Sequence, residues 1–263
     1  MKFQNIIWDY YKKHKRKLLW REEITPYNIF VSEIMLQQTQ VSRVEKKFPK
    51  FIKKFPDFSS LAEASTKDVL TAWQGMGYNR RALYLKKATE TIIKKYNGYL
   101  PNDLHILGTL PGIGKTTASS ITTFVWNQPT VFIETNIRRV FIHFFFSERK
   151  NIDDKDIIPL VEKTLDKRNP REWYYALMDY GSHLPKITKN PNRKSKHYAK
   201  QSQFKGSDRE IRGKIIRSIL KRSLTIDELE TIIQFDKKRL YVNLLELKKE
   251  GFVMEKKGKY SIK

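Results

Sequence analysis

Residues 110–118 read Leu-Pro-Gly-Ile-Gly-Lys-Thr-Thr-Ala, and no other stretch narrows the fold of this chain so far. Gly112 and Gly114 allow a tight turn and a close approach of backbone to backbone or ligand. The helix that follows begins with free N–H groups, and a nest of such groups at a helix N-terminus can hold a phosphate. A nucleotide P-loop needs four residues between its first glycine and Gly-Lys-Ser/Thr, and Pro111 breaks any preceding strand, so an NTPase is not expected.

The segments on either side have helical spacing. Phe3, Ile6, Ile7 and Tyr10 share one face. Thr25-Pro26 reads as an N-cap followed by Pro at the first helical position, and Tyr27 to Phe48 continues with helical spacing. Pro49, Pro56 and Pro101 are expected to break later helices, and Ser59-Ser60 and Ser65-Thr66 look like caps. Residues 82–96 repeat the helical pattern, 140–146 (VFIHFFF) reads as a buried segment, and 171–181 as an amphipathic helix ending near Gly181. No βαβ alternation is visible. Residues 186–205 are basic with no acid, the composition of a tether or of an arm that tracks DNA. After Gly206, three helical patterns and a hairpin with a Lys-Lys-Gly-Lys turn follow in the order of a winged helix, with Lys237, Lys238 and Arg239 opening the third helix. The reading is a mainly α chain with three domains: 18–128, a six-helix barrel bearing the hairpin; 1–17 plus 129–205, a second helical lobe with the basic arm; and 206–263, the winged helix.

Charge and composition set the partner. Among 263 residues, 52 Lys and Arg outweigh 28 Asp and Glu, a formal net charge of +24. Such an excess points to a polyanion, and bases interleaved with aromatics suit nucleic acid better than a membrane surface, which calls for one basic amphipathic helix. A lysine-rich proteome is the plain alternative. The chain has no cysteine, so it has no thiolate nucleophile and no Cys-ligated zinc or iron–sulfur cluster. No run of 18 apolar residues is present, and no secretory signal is apparent, so the expectation is a cytoplasmic, nucleoid-associated monomer.

LPGIGKTTA resembles the hairpin of the helix-hairpin-helix DNA glycosylases, the endonuclease III and MutY superfamily, which grips a DNA phosphate through backbone amides and a monovalent cation. Four further blocks resemble that family in order and spacing: Ser32–Val41 (SEIMLQQTQV), Trp73–Arg81 (WQGMGYNRR), Val131–Val140 (VFIETNIRRV) and Ala176–Gly181 (ALMDYG). The likeness is closest to the MutY-like adenine DNA glycosylases. It implies the helix-hairpin-helix glycosylase fold and a base excision repair enzyme. Such an enzyme hydrolyses the N-glycosidic bond of a flipped-out base, adenine opposite guanine or 8-oxoguanine, in duplex DNA with a mismatch or lesion.

Breaking that bond builds positive charge on the sugar and negative charge on the base, so the chemistry wants an acid for the base and a carboxylate near the sugar. By resemblance, Glu33 is the acid, with a raised pKa, and Glu134 stands at the position of the family's aspartate. Glu134 could equally cap the helix at Thr135-Asn136. Arg16, Trp20, Leu36, Thr39, Tyr175 and Met178 match the pocket around the extruded base. Gln37, Gln38 and Tyr78 match residues inserted into the duplex. Leu110, Gly112, Ile113, Gly114 and Lys115, with Arg138 and Arg139, are candidate phosphate contacts, and Lys237, Lys238 and Arg239 serve the winged helix. No side chain is assigned to a metal, and no cofactor is expected beyond a monovalent cation at the hairpin.

The sequence departs from the family pattern in five respects. Thr116 stands where bifunctional relatives carry a Schiff-base lysine, so no strand nicking is expected. Glu134 replaces aspartate. Tyr175 stands where adenine glycosylases usually have a Glu or Gln reading the base edge. The cluster cysteines after Gly181 are missing, and the C-terminal pattern is a winged helix rather than an 8-oxoguanine-reading domain. Thymine or uracil opposite guanine, or a modified base, is the alternative substrate; a non-catalytic winged-helix regulator is the alternative from another class.

Overall fold

Apolar residues at helical spacing become helices along almost the whole chain. The computed structural model describes residues 2–263, and among these it holds fifteen α-helices, one 3-10 turn and one two-stranded hairpin. The chain divides into two compact units. One comprises Met1–Glu33, Asn102–Thr109 and Ile113–Lys200; the other comprises Ile34–Pro101, Leu110–Gly112 and Gln201–Lys263. The C-terminal segment therefore groups with residues 34–101, and residues 18–33 and 113–128 group with 129–200.

In the first unit the core forms between α1 (Lys2–His14), α9 (Lys115–Trp126), α10 (Thr135–Phe145) and α12 (Pro170–Ile187). Ile7 and Tyr11 of α1 are buried, and Phe3 meets Phe141, Phe144, Phe145 and Trp173 with ring centroids 5.0 to 6.0 Å apart. Residues 140–146 are not a uniformly buried run. Val140, Phe141 and Ile142 are buried while His143 and Phe145 face outward, because successive helical side chains rotate by about 100°.

Helix α12 does not end at Gly181; it continues to Ile187, through Pro185. Gly181 is there for packing: a Cβ at that position would stand 2.3 Å from the Asn136 carbonyl oxygen, so only glycine lets α12 cross the first turn of α10 this closely. Pro185 has no N–H to give the Gly181 carbonyl, and Arg139 Nη1 donates to it instead at 2.6 Å. The start of the basic segment is likewise no free tether. After α12, Pro191–Lys194 form the 3-10 turn, Asn192 Nδ2 donates to the Thr135 carbonyl at 2.9 Å, and Ser195 bridges Ile152 in parallel.

The second unit begins inside α3 (Pro26–Leu36), whose start is as expected: Thr25 Oγ1 accepts from the Asn28 amide at 3.0 Å. The stretch from Tyr27 to Phe48 is two helices, however. The chain turns at residues 37–40, with Gln38 at φ 52°, before α4 (Val41–Lys54). Pro49 lies inside α4 rather than ending it. An interior proline costs roughly 3 kcal/mol, and burial of Val44, Phe48 and Phe51 on one face offsets it. Asp57, not Ser59 or Ser60, caps α5 (Phe58–Glu63), while Ser65 caps α6 (Thr66–Trp73) as read from the sequence. Helix α7 (Arg80–Tyr96) completes this part.

Residues 208–262 then form α13 (Asp208–Ile219), α14 (Ile226–Ile233), α15 (Lys237–Lys249) and the hairpin β1 (Val253–Lys256) and β2 (Lys259–Ile262), the element order of a winged helix. The strands pair Val253 with Ile262 and Lys256 with Lys259, and Leu224 bridges Tyr260. The turn is only Lys257-Gly258, both with positive φ, the two-residue type that suits strand twist.

Candidate active site

Glu33 lies on α3, and the elements of the first unit bring three groups to it. Ser120, from the second turn of α9, places Oγ 2.5 Å from Glu33 Oε2 and 3.0 Å from the Thr117 carbonyl. A hydroxyl carries one proton. When Glu33 is ionised Ser120 donates to it; when Glu33 holds the proton, the acid can donate to Ser120, which turns to Thr117. Burial drives the Glu33 carboxyl up to about 7; the Ser120 hydroxyl pulls it down, the charge of Glu134 adds to the rise, and Arg21 opposes it. Glu33 is thus poised between its two protonation states near neutrality.

Glu134 is the N-cap of α10. Its Oε1 accepts from the Asn136 and Ile137 amides at 2.7 and 2.9 Å, and its Oε2 from Asn136 Nδ2 at 3.2 Å. Burial pushes its pKa up, against the amides of Ile137 and Asn136 and the charges of Arg139 and Arg138. The cap reading and a position beside the acid therefore hold together: the helix end fixes the carboxylate whose charge Glu33 feels.

Tyr175, on α12, stacks on Phe124 at 4.8 Å, and the Arg21 guanidinium lies 4.2 Å from its ring centroid. Its hydroxyl is buried with no hydrogen-bond partner among the described residues, and burial raises its pKa, helped by the charge of Glu33. One turn on, Asp179 is 1% exposed and accepts from Arg16 Nε at 2.6 Å, the Arg16 amide at 2.9 Å and Arg21 Nη1 at 2.9 Å. The sequence reading named Arg16 but missed Arg21 and Asp179, although Asp179 stands in the ALMDYG block four residues after Tyr175. Trp20 is buried, and Met178 is half-buried with its sulfur 4.0 Å from Arg21 Nη2. Thr116 is exposed in the first turn of α9, four residues before Ser120 and hence on the same helical face.

Arg138 and Arg139 are not free phosphate contacts. Arg138 forks onto Asp154 with two bonds of 2.7 Å, and Arg139 donates to Asn190, Asn136 and the carbonyl that Pro185 leaves open. Both guanidiniums are half-buried because α10 packs against α11 (Asp154–Thr164) and α12. Lys115 and Gly114, by contrast, are exposed. Gly114 has an ordinary backbone, φ −92°, and a Cβ there would meet nothing within 4 Å.

In the second unit Arg81 organises the loops that carry Gln37, Gln38, Thr39 and Tyr78. It is 8% exposed. Its guanidinium donates to the carbonyls of Ile34, Met35, Gln37, Met76 and Gly77 and to Thr39 Oγ1, at 2.5 to 3.3 Å. Burial lowers its pKa to about 10, so it stays cationic at neutral pH. Gln38 and Tyr78 both have positive φ, 52° and 47°, a strained setting for side chains of this size. Gln37 Nε2 also donates to the Gly112 carbonyl at 3.1 Å. Gly112 itself needs its missing side chain, since its φ is 79° and a Cβ would stand 2.8 Å from Cβ of Tyr84. Leu36 ends α3 half-buried, and Leu110 is buried in the hairpin turn. Ile113, in the first unit, is buried at the other end of that turn. On α15, Lys237 pairs with Asp227, and Arg239 pairs with Asp208 at 2.8 Å; Lys238 is exposed.

Residues 31–166 match the family described as HhH-GPD superfamily base excision DNA repair protein. The chain is 36% identical over 184 residues to the adenine DNA glycosylase of Buchnera aphidicola subsp. Baizongia pistaciae, covering 68% of this chain and 52% of that protein. It is 42% identical over 132 residues to the adenine DNA glycosylase of Mycobacterium tuberculosis, covering 50% and 43%. The chain thus spans about half the length of the curated relatives it matches. Among solved structures, a thermostable thymine-DNA glycosylase superposes with a TM-score of 0.63 at 23% identity, over 73% of this chain and 92% of that one. A non-covalent endonuclease III–DNA complex superposes at 0.60 and 17% identity, over 71% and 87%. At those identities the likeness speaks for the fold. The family match covers half the chain, including Glu33, the hairpin and the Glu134 cap, and the protein belongs to the HhH-GPD superfamily of base excision DNA repair proteins.

Proposed function

We propose that this chain is a monofunctional DNA glycosylase that hydrolyses the N-glycosidic bond of a flipped-out mispaired base, with adenine opposite guanine or 8-oxoguanine as substrate. One observation carries the reading: Glu33 is a half-buried carboxyl whose pKa is raised to about 7, held by a hydroxyl that serves either protonation state. In this mechanism Glu33 gives its proton to a ring nitrogen of the base. The electrons of the C1′–N bond leave with the base, and Glu134 stabilises the cationic sugar. Water then adds at C1′ and loses its proton, leaving an intact abasic site.

The other assignments follow from the same reading. Glu134 stands in for the family's aspartate. Tyr175 offers its unpaired hydroxyl to the base, which removes the roughly 1–3 kcal/mol cost of a buried unsatisfied group. Open space at Gly114 and the exposed amides that start α9 suit a phosphate, with Lys115 as counter-charge. A monovalent cation at the hairpin would take carbonyl oxygens such as those of Leu110 and Gly112. The oxygen donor type suits a hard cation, and Gly112's carbonyl keeps a second lone pair beside its bond from Gln37. Thr116 cannot form a Schiff base, so no lyase step is expected. The partner is duplex DNA, met by the protein as a monomer in the cytoplasm.

Tyr175 supports a second reading, the same chemistry on thymine or uracil opposite guanine, because its hydroxyl can donate to a carbonyl oxygen. A panel of duplexes with each mismatch, assayed for abasic sites under single-turnover conditions, decides between them. Excision of adenine alone bears out the first reading, excision of a pyrimidine the second, and no excision from any duplex overturns both.

A further inference from the structure

A pocket of about 420 Å³ lies in the second unit between α13, the connection that follows it and the C-terminal end of α14. Four cations line it and no acid: Lys214 and Arg217 on α13, and Lys221 and Arg222 just beyond. Lys214, Arg217 and Lys221 are three and four residues apart, so they line up along one face. Lys214 is paired with Glu210 at 3.1 Å and Arg222 with Glu228 at 2.6 Å. Arg217 and Lys221 are exposed and enter no ion pair among the described residues. The floor is of the opposite kind. Leu224 and Ile233 are buried there, and Ile232 is 52% exposed at its edge. Leu224 exchanges backbone bonds with Tyr260 at 3.0 and 2.8 Å, and Thr225 starts α14 with a capping box, so an occupant meets a formed surface. A phosphate backbone would satisfy the cations but leave the aliphatic floor in water. No residue of α15 or of the hairpin, the parts that meet a groove in a fold of this order, lines the pocket. A carboxylate joined to an aliphatic side chain satisfies both walls and floor.

We propose that this pocket takes the C-terminal end of an acidic segment of a partner protein, one whose last side chain is aliphatic. The terminal carboxylate accepts from the Arg217 guanidinium and the Lys221 ammonium, and the half-buried Ser218 of the lining offers its hydroxyl as a further donor. The last side chain covers Leu224, Ile232 and Ile233. Acids before it meet Lys214 and Arg222, whose present surface pairs exchange with little loss. The site is independent of the glycosylase reading: it concerns which protein this chain meets, not which base it removes.

The test is fluorescence anisotropy of the full chain with a labelled peptide, Gly-Ser-Asp-Glu-Asp-Asp-Glu-Leu, bearing a free terminal carboxylate. Wild type should bind it saturably. The same peptide with a terminal amide, or with Ser in place of Leu, should bind about tenfold more weakly, the order expected for one charge-assisted bond or one buried aliphatic side chain. Arg217→Ala and Ile232→Ser should each weaken binding of the parent peptide by about tenfold, whereas Lys94→Ala, an exposed cation on α7, should leave it unchanged. All three side chains are exposed, so the variants should fold as wild type does. A fully paired labelled duplex is measured beside the peptide. Ile232→Ser should not alter its binding, and Arg217→Ala should alter it less than it alters the peptide's. No saturable peptide binding at millimolar concentration overturns the site. So does equal binding of the Ser-ended peptide, which would mean charge alone. A loss on the duplex as large as that on the peptide would make Arg217 a phosphate contact and overturn it too.

Discussion

Ser120 Oγ stands 2.5 Å from Glu33 Oε2, the one on α9 and the other on α3. An acid that must lose its proton during turnover has a neighbour able to bond it before and after. Ser120 does not touch the base in the proposed mechanism; it positions and tunes the group that does.

Glu33→Gln should lower excision by about 10² to 10⁴, the usual cost of losing a general acid, with DNA affinity nearly unchanged. Single-turnover rates within threefold of wild type would remove Glu33 from its role. The same variant carries a stability signature. Folding raises the Glu33 pKa from the usual 4.5 to about 7, so the native state holds the proton more tightly than the unfolded chain. Stability attributable to this group is therefore full below about pH 4.5, falls as pH rises, and is lost above about pH 7. Glutamine never ionises. Urea unfolding should find Glu33→Gln more stable than wild type at pH 8, by up to about 3 kcal/mol, and equal to it near pH 4.

Wild-type excision should fall as pH rises through about 7, because the protonated acid is the active form. Ser120→Ala removes a bond that favours the ionised carboxylate, so the falling limb should move to higher pH. A pH–rate profile reads this directly. A lower rate with an unmoved limb would make Ser120 a packing residue only.

Arg81→Lys should destabilise the protein by about 2–4 kcal/mol. Three ammonium donors cannot serve six oxygens placed for a planar fork, and a buried carbonyl left unpaired is costly. Hydrogen exchange should show the amides of residues 37–39 and 76–78 losing protection first. A loss spread evenly over the chain would mean that Arg81 supports the fold at large rather than these loops.

Borohydride should trap no covalent adduct between the wild-type protein and cleavable DNA. Thr116→Lys places an amine one turn before Ser120 and should gain a trapped band with some strand nicking. A folded, excising variant that gives no band would show that position 116 does not face the sugar.

Much of the site was legible because its residues fall in local blocks. Glu33, Glu134, Gly112 and Thr116 each carry their signal within ten residues. What the sequence hid was partnership at a distance. Arg21 and Asp179 are 158 residues apart, and nothing in either neighbourhood marks a buried ion pair. Arg138 and Arg139 read as phosphate contacts in the sequence, and only the packing of α10 against its neighbours shows them engaged within the fold. Gly181 looked like a helix end because glycine serves ends and close crossings alike, and only the Asn136 carbonyl distinguishes them. Pro49 misled for a similar reason: a strong apolar face outweighed a local breaker.

The two kinds of base in this chain are divided by depth. The two buried cations are arginines, Arg21 and Arg81, and Arg138, Arg139 and Arg171 are also spent on carboxylates, carbonyls and amides inside the fold, whereas no lysine among the described residues is buried. The field that reaches outward is therefore carried largely by flexible ammoniums. These neutralise phosphates without the fixed fork that would pin one register. On the proposed duplex substrate, such a surface would let the protein shift in small steps, base pair by base pair, at little energetic cost for each step.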